Sequence, residues 1–342
     1  MRSRFLLPCG TALAVLVATL SVTSIGLSGQ APAAAAKKRP VARTWVQPRT
    51  AWGDPDLQGT YTNKTITPFE RPADAAGKQL FTEAETAELE RRAVERTVDR
   101  RDNRGTDADV SRAYNEFWWD RGTKVTTNRT SLVIDPADGR IPPLTPEALK
   151  RTQDEWKQPA FRGAGANGRG SDSYTDRSVF ERCITRGMPA AMSPTAYNNN
   201  YRIVQGPGYV AIAIEMLGGV RVIPTDGSSH LPKSVRLWMG DSRGHWEGNS
   251  LVVDTTNFTD KVLYRGASEN LHLIERFTRT DENLIDYQFT VDDPTTFTRP
   301  WTASIPYLKT DDEMFEYACH EGNYGMIGIL SGARADESAA GR

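Results

Sequence analysis

Hydrophobic and polar positions alternate along the chain from about residue 201. Seven short runs are rich in β-branched and aromatic residues and end at Gly, Pro, Asp or Asn: 201–205, 209–216, 220–224, 251–258, 271–280, 284–292 and 301–309. A period of two residues is typical of half-buried strands. The pattern therefore predicts a mainly β fold, an antiparallel barrel or sandwich that leaves room for a lipocalin-like cavity.

The N-terminal half has a helical pattern instead. Thr82 and Glu85 form a capping box before a run of Glu, Ala, Leu and Arg, which predicts a helix to about residue 101. Thr145 before Pro146 predicts a second helix to about residue 158. Because the apolar stripe of the first helix is thin, we expect these two helices to be peripheral.

Residues 1–36 have the order of a secretory signal sequence: two arginines, an apolar run, and four alanines before Lys37. A membrane anchor is the alternative, because the apolar run nearly reaches the length of a bilayer span. Cleavage of a signal predicts a periplasmic or secreted protein. After the signal we expect a linker over 37–51 and then a single β-rich domain over 52–342. This domain has a helical half, 52–200, and a strand-rich half, 201–330.

The charge balance of the chain excludes some partners. The 342 residues include 42 basic and 43 acidic side chains, and loss of the signal removes two arginines and no acid. Such a balance provides no electrostatic footprint for nucleic acid or for an anionic membrane. A small molecule is therefore the expected partner, and the sequence indicates neither a cofactor nor an oligomeric state.

Cys183 and Cys319 are the two cysteines that would remain after cleavage. An even number of cysteines in an exported protein predicts a disulfide. It would close a loop of about 136 residues, which the chain-entropy model values at about 5 kcal/mol. Two free buried thiols, or a metal site, are the alternatives.

Two ionisable residues of the predicted strand 271–280 are candidates for acid–base chemistry. Residues three apart on a strand point to opposite faces. Glu275 then shares a face with Leu273, and an inward carboxyl would have a pKa raised by desolvation, as a general acid requires. His272 shares the opposite face with Arg276, and either face could line a cavity. The alternative for Glu275 is an ion pair with an arginine on a neighbouring strand.

The segment around Cys319 is the densest cluster of reactive side-chain types. Glu316 and His320 are four residues apart and touch only if the segment is helical. The predicted disulfide would hold His320 rigidly, as catalysis requires, and a structural role is the alternative. The other histidines, His230 and His245, are expected in a loop and in an exposed turn.

Aromatic side chains could stack on a flat ligand. We assign Trp118, Trp119 and Tyr324 to ligand contacts, together with Arg276. Ser242 lies in a Gly-Asp-Ser-Arg-Gly run that has the letters of a nucleophile elbow. No helix is predicted after it, as that motif requires, so a serine hydrolase is a minor alternative.

Four motifs carry a family resemblance: Trp-Gly-Asp-Pro-Asp-Leu-Gln-Gly at 52–59, Thr-Ser-Leu-Val-Ile-Asp-Pro at 130–136, Gly-Asp-Ser-Arg-Gly-His-Trp-Glu-Gly at 240–248 and Glu-Tyr-Ala-Cys-His-Glu-Gly-Asn-Tyr at 316–324. With these motifs the chain resembles an uncharacterised family of secreted bacterial proteins. The resemblance implies export and a single domain, and it carries over no catalytic residue.

Three functional hypotheses follow. In the first, the β fold holds a small organic ligand and performs the acid–base chemistry of a lyase, isomerase or hydrolase with four residues: His320, His272, Glu275 and Glu316. In the second, the protein is a noncatalytic module that binds a saccharide or a lipid through aromatic side chains. In the third, His272, His320 and Glu316 bind a metal ion.

Overall fold

A single antiparallel sheet organises the computed structural model, which describes residues 45–97, 106, 119–157, 171–267, 269–339 and 341. The predicted signal sequence and Trp118 lie outside the described residues. The strands are β1 Gly59–Thr62, β2 Val133–Asp135, β3 Asn200–Gly206, β4 Tyr209–Ile214, β5 Val220–Pro224, β6 Asp241–Glu247, β7 Ser250–Thr256, β8 His272–Asp281, β9 Leu284–Asp292 and β10 Trp301–Lys309. The α-helices in the described part of the chain are α1 Glu83–Thr97, α2 Pro146–Lys157 and α3 Tyr324–Ala339.

The strands follow one another around a nearly closed barrel. Their order is β5-β4-β3-β1-β10-β9-β8-β7-β6, with β2 paired to β10, and every pairing is antiparallel. The prediction of a mainly β fold with few helices is confirmed, and the barrel is the form that it takes.

Strands β5 and β6 approach each other at the seam of the barrel. Gly244 of β6 faces Ile223 of β5, and a Cβ at position 244 would lie 2.9 Å from the Ile223 side chain. Real Cβ atoms are not found so close to a neighbour, so the two edge strands reach this separation because residue 244 is glycine.

Aromatic side chains fill the interior of the barrel. Phe277, Tyr287, Phe289, Trp301 and Tyr307 have no exposed surface or at most a trace of it. Their rings contact one another along β8, β9 and β10, for example with centroids 4.7 Å apart between Phe277 and Tyr287. These buried rings occupy the interior along β8, β9 and β10, where the pattern allowed a lipocalin-like cavity.

The predicted helix starts are present. The Thr82 N–H donates to the Glu85 carboxylate at 2.8 Å, and the Glu85 N–H donates to the Thr82 hydroxyl at 3.3 Å, which is a capping box. At α2 the Ala148 N–H donates to the Thr145 hydroxyl at 3.1 Å.

Three elements differ from the predictions. Strand β1 is not among the seven predicted runs. The turn expected around His245 is wrong, because residues Asp241–Glu247 form strand β6. Helix α3 is absent from the predictions, and none of its residues is buried.

The predicted disulfide is confirmed. Cys183 and Cys319 are paired with their Cα atoms 5.6 Å apart. The bond ties the loop region before β3 to the segment that follows β10, and it thereby anchors the C-terminal segment at one end of the barrel.

Candidate functional site

A groove of about 710 Å³ lies at one end of the barrel, and we call it the C-terminal groove. Strand pairing explains its position. Thr62 at the end of β1 pairs with Asn200 at the start of β3, and Ile214 at the end of β4 pairs with the next residue of β3. Lys309 at the end of β10 pairs with Tyr61. These strand ends meet at one place, and the segment that follows β10 lies across them.

Glu215 holds the groove together at its base. Its buried carboxylate accepts hydrogen bonds from the backbone N–H of Asn200 and from that of Phe315, each at 3.1 Å. It therefore joins β3 to the C-terminal segment. No basic side chain in the described part of the chain forms an ion pair with Glu215, which lines the groove.

Among the described residues, Lys64 is the one basic side chain that lines the groove, and it is already paired. Its ammonium lies 2.6 Å from an oxygen of Asp120 and 3.1 Å from an oxygen of Asp312. Partial burial opposes the Lys64 charge, but the hydrogen bonds and charges of the two carboxylates outweigh it and raise its pKa. The hydrogen bond that Lys64 donates to Asp312 also lowers the pKa of the Asp312 carboxyl.

Aromatic rings form another part of the groove lining. Tyr197 and Tyr317 stack with centroids 6.2 Å apart, and Trp119 meets Tyr197 edge to face at 6.4 Å. The side chain of Phe315 is 67% exposed at the groove. Tyr317 is two residues from Cys319, so the disulfide fixes the segment that carries it.

One polar atom beside the groove lacks a partner. Asn200 lines the groove and is only 5% exposed, yet its side-chain Oδ1 makes no hydrogen bond to the described residues. A buried acceptor without a donor costs about 1 to 3 kcal/mol. A ligand that donates a hydrogen bond here would remove that cost.

The structure places the predicted ligand residues at different positions. Trp119 lines the C-terminal groove, as does Glu316, which was predicted as a catalytic residue. Tyr324 begins α3 with 76% of its surface exposed and does not line the groove. Arg276 lies on the outer face of β8 in an exposed pair with Glu247 at 2.8 Å. Trp118, the remaining assignment, lies outside the described residues.

The predicted catalytic residues are not brought together. Glu275 is inside the barrel with no exposed surface, and His272 is partly exposed on the opposite face of β8. His320 is exposed in a turn, and the segment before it is not helical. Glu316 and His320 therefore make no direct contact in the described structure.

Glu275 forms an ion pair with Arg221, the alternative that the sequence left open. Arg221 of β5 reaches across the interior and donates to both Glu275 oxygens, at 2.8 Å to Oε1. Burial opposes the Arg221 charge, but Glu275 outweighs it and raises the guanidinium pKa. Burial and the charge of Glu275 raise the pKa of Tyr287 well above its usual range, and its hydroxyl donates to Glu275 at 2.8 Å.

Ser242 belongs to the same buried network. It lies within β6, and its hydroxyl accepts from Arg221 at 2.9 Å and contacts the Thr255 hydroxyl at 3.1 Å. A nucleophile elbow needs an exposed serine between a strand and a helix. The structure therefore gives Ser242 a structural position, which removes the basis for a serine hydrolase.

A second group of ionisable residues lies together, and we call it the histidine cluster: His230, Asp241, Asp254 and His272. The sequence predicts His272 as a catalytic residue but not its partners. The two ring nitrogens of His230 lie 2.9 Å from Asp241 and 2.9 Å from Asp254. His272 Nε2 lies 2.6 Å from the other oxygen of Asp254. Because carboxylates only accept, Nε2 of His272 donates this hydrogen bond to Asp254.

The described residues show neither a metal centre nor a membrane span. Within ranges 45–97, 119–157, 171–267 and 269–339, no group of three or more His, Cys, Asp or Glu side chains is arranged to hold a metal ion. No helix of the described chain has the length and apolar character needed to cross a membrane.

No family model matches the chain, and neither a curated protein nor a solved structure matches it. The resemblance to a family of secreted bacterial proteins therefore stays a prediction.

Proposed function

We propose that the mature protein is an exported small-molecule-binding protein whose ligand site is the C-terminal groove. The observation that carries this proposal is the buried Oδ1 of Asn200, which lacks a hydrogen-bond partner beside a groove with aromatic walls. Ligand sites combine apolar and aromatic surface with a few placed polar groups. The filled barrel interior favours the groove over the barrel as the site.

Export is part of the same proposal. The first 36 residues have the composition of a signal sequence, and disulfides such as that of Cys183 and Cys319 persist in oxidising compartments. Expression of the full chain in a bacterium with a periplasm, followed by N-terminal sequencing of the periplasmic fraction, tests it. We expect a mature N-terminus near Lys37. A chain that keeps Met1 and stays with the cytoplasm or the membrane would contradict export.

Isothermal titration calorimetry on the mature chain tests the binding site. The probes are 2-phenylethylamine, 2-phenylethanol and 3-phenylpropanoate, which share an aromatic body and differ in charge. We expect saturable binding of at least one probe. Tyr317→Ala should weaken this binding by about two- to tenfold, because an aromatic contact contributes about 0.5 to 1.5 kcal/mol.

Tyr324→Ala is the matched control, since it removes an exposed tyrosine outside the groove. Near-ultraviolet circular dichroism of both variants checks that they fold. Absence of binding for all three probes, or equal losses in the two variants, would refute the groove as the ligand site.

The histidine cluster supports a second candidate function, acid–base catalysis. Asp254 contacts the imidazoles of both His230 and His272, an arrangement that orients a general base. Hydrolysis of p-nitrophenyl acetate is a suitable assay. We expect Asp254→Asn to lower the rate at least tenfold, and His245→Gln, which changes an exposed histidine outside the cluster, to leave it unchanged. Similar rates in both variants would reject catalysis by the cluster.

A further inference from the structure

We infer that the ligand of the C-terminal groove is a small organic ammonium ion, a primary amine with an apolar or aromatic body. This inference rests on the proposed binding function of the groove and specifies the chemical class of its ligand. Three properties of the groove lead to it: its charge, the polar atoms that it offers, and the rings that line it.

The groove has an excess of negative charge. In the part of the chain that the structure describes, five carboxylates and one ammonium, that of Lys64, line the groove. The carboxylates are those of Asp120, Glu215, Asp312, Glu313 and Glu316. Lys64 neutralises part of the charge of Asp120 and Asp312. Glu215, Glu313 and Glu316 have no basic partner in the described part of the chain. A concave surface with one sign of charge raises the local concentration of ligands of the opposite sign.

The carboxylates of the groove and the Oδ1 of Asn200 accept hydrogen bonds. The Oδ1 of Asn200 is buried and has no donor, and carboxylates are acceptors only. Backbone N–H groups donate to both oxygens of Glu215, so this carboxylate is held in place. A primary ammonium has three N–H donors and no acceptor, which matches this set. The groove disfavours a carboxylate ligand, because such a ligand is itself negatively charged and has no hydrogen bond to donate to these acceptors.

The rings of the groove suit both parts of such a ligand. The stacked pair of Tyr197 and Tyr317 and the exposed ring of Phe315 provide apolar surface for the body of an amine. Ring faces also attract cations. The Trp119 ring binds a cation in this way, because the guanidinium of Arg121 lies 4.1 Å from its centroid.

Calorimetry of the mature chain with the three probes at low ionic strength tests the inference. We expect 2-phenylethylamine to bind at least tenfold more tightly than 2-phenylethanol and 3-phenylpropanoate to show no measurable binding. The double variant E313Q/E316Q should weaken amine binding about fivefold and leave 2-phenylethanol binding unchanged. Asp311→Asn removes an exposed acid next to the groove segment but outside its lining, so it is the matched control and should have no effect.

Each outcome decides the matter. Equal affinities for the amine and the alcohol, both lost in Tyr317→Ala, would overturn the inference about charge while the binding function stands. An amine affinity that E313Q/E316Q and Asp311→Asn change equally would also overturn it, because general surface charge would then be the cause. Absence of binding for every probe would overturn both the inference and the proposed function.

Discussion

Replacement of Glu275 by glutamine should be among the most destabilising changes in the barrel. Glu275 has no exposed surface, the side chain of Arg221 is 3% exposed, and the guanidinium donates to both carboxylate oxygens. Glutamine keeps the shape but leaves the Arg221 charge buried without a counterion. Removal of one partner of a buried pair costs about 3 to 5 kcal/mol, and we expect a loss in that range for Glu275→Gln.

Urea unfolding followed by tryptophan fluorescence, with the disulfide intact, measures this loss. The matched control is Arg276→Gln, one residue along β8, which breaks an exposed pair with Glu247 and should cost at most about 1 kcal/mol. The double variant Arg221→Met with Glu275→Leu should recover most of the stability, because apolar side chains of similar volume often replace a buried pair without loss. Equal losses for Glu275→Gln and Arg276→Gln would refute this account of the interior.

Further predictions concern the seam, a helix start and the disulfide. Gly244→Val should destabilise the barrel by about 1 to 3 kcal/mol in urea unfolding, because the added side chain overlaps the β5 side chain opposite. An unchanged unfolding midpoint would contradict the close approach of β5 to β6. Hydrogen bonds from Lys78 and from the helix start lower the pKa of Glu85 from an ordinary 4.5 to about 2. Its stabilising effect should thus be complete above pH 4.5 and be lost as pH falls through about 2, and an NMR titration of Glu85 with a midpoint near 4.5 would oppose this. Replacement of Cys183 and Cys319 by serine should lower the free energy of unfolding by about 2 to 5 kcal/mol in the same assay, because the disulfide restricts the unfolded chain. A change near zero would argue against this stabilisation by the disulfide.

The strand pattern of the chain could be predicted because it depends on local alternation. Along β8, Leu273, Glu275 and Phe277 face inward as the period of two requires. The partner of Glu275 could not be predicted, since Arg221 is 54 residues away in sequence and no pattern singles it out among the basic residues. Strand β6 could not be predicted because glycine, here Gly244, usually indicates a turn. In the structure Gly244 lies within the strand, and glycine is needed there because β5 passes close to it.

The groove was predictable only in part. Trp119 and Glu316 were selected because aromatic and ionisable side chains are concentrated around them. Glu215 and Asn200 carry no such signal, as each is an ordinary polar residue at a strand end. Their importance arises from strand pairing and from the disulfide, which bring distant segments to one end of the barrel. The partners of His272 in the histidine cluster were missed for the same reason, because His230 and Asp254 are 24 residues apart.

The most direct measurement is a crystal structure of the mature chain soaked with 2-phenylethylamine at a concentration near its dissociation constant. We predict electron density for the probe in the C-terminal groove, with the ring against Phe315 or Tyr317 and the ammonium within hydrogen-bond distance of Asn200 Oδ1. Density inside the barrel or beside His272, with the groove occupied by water alone, would contradict the account.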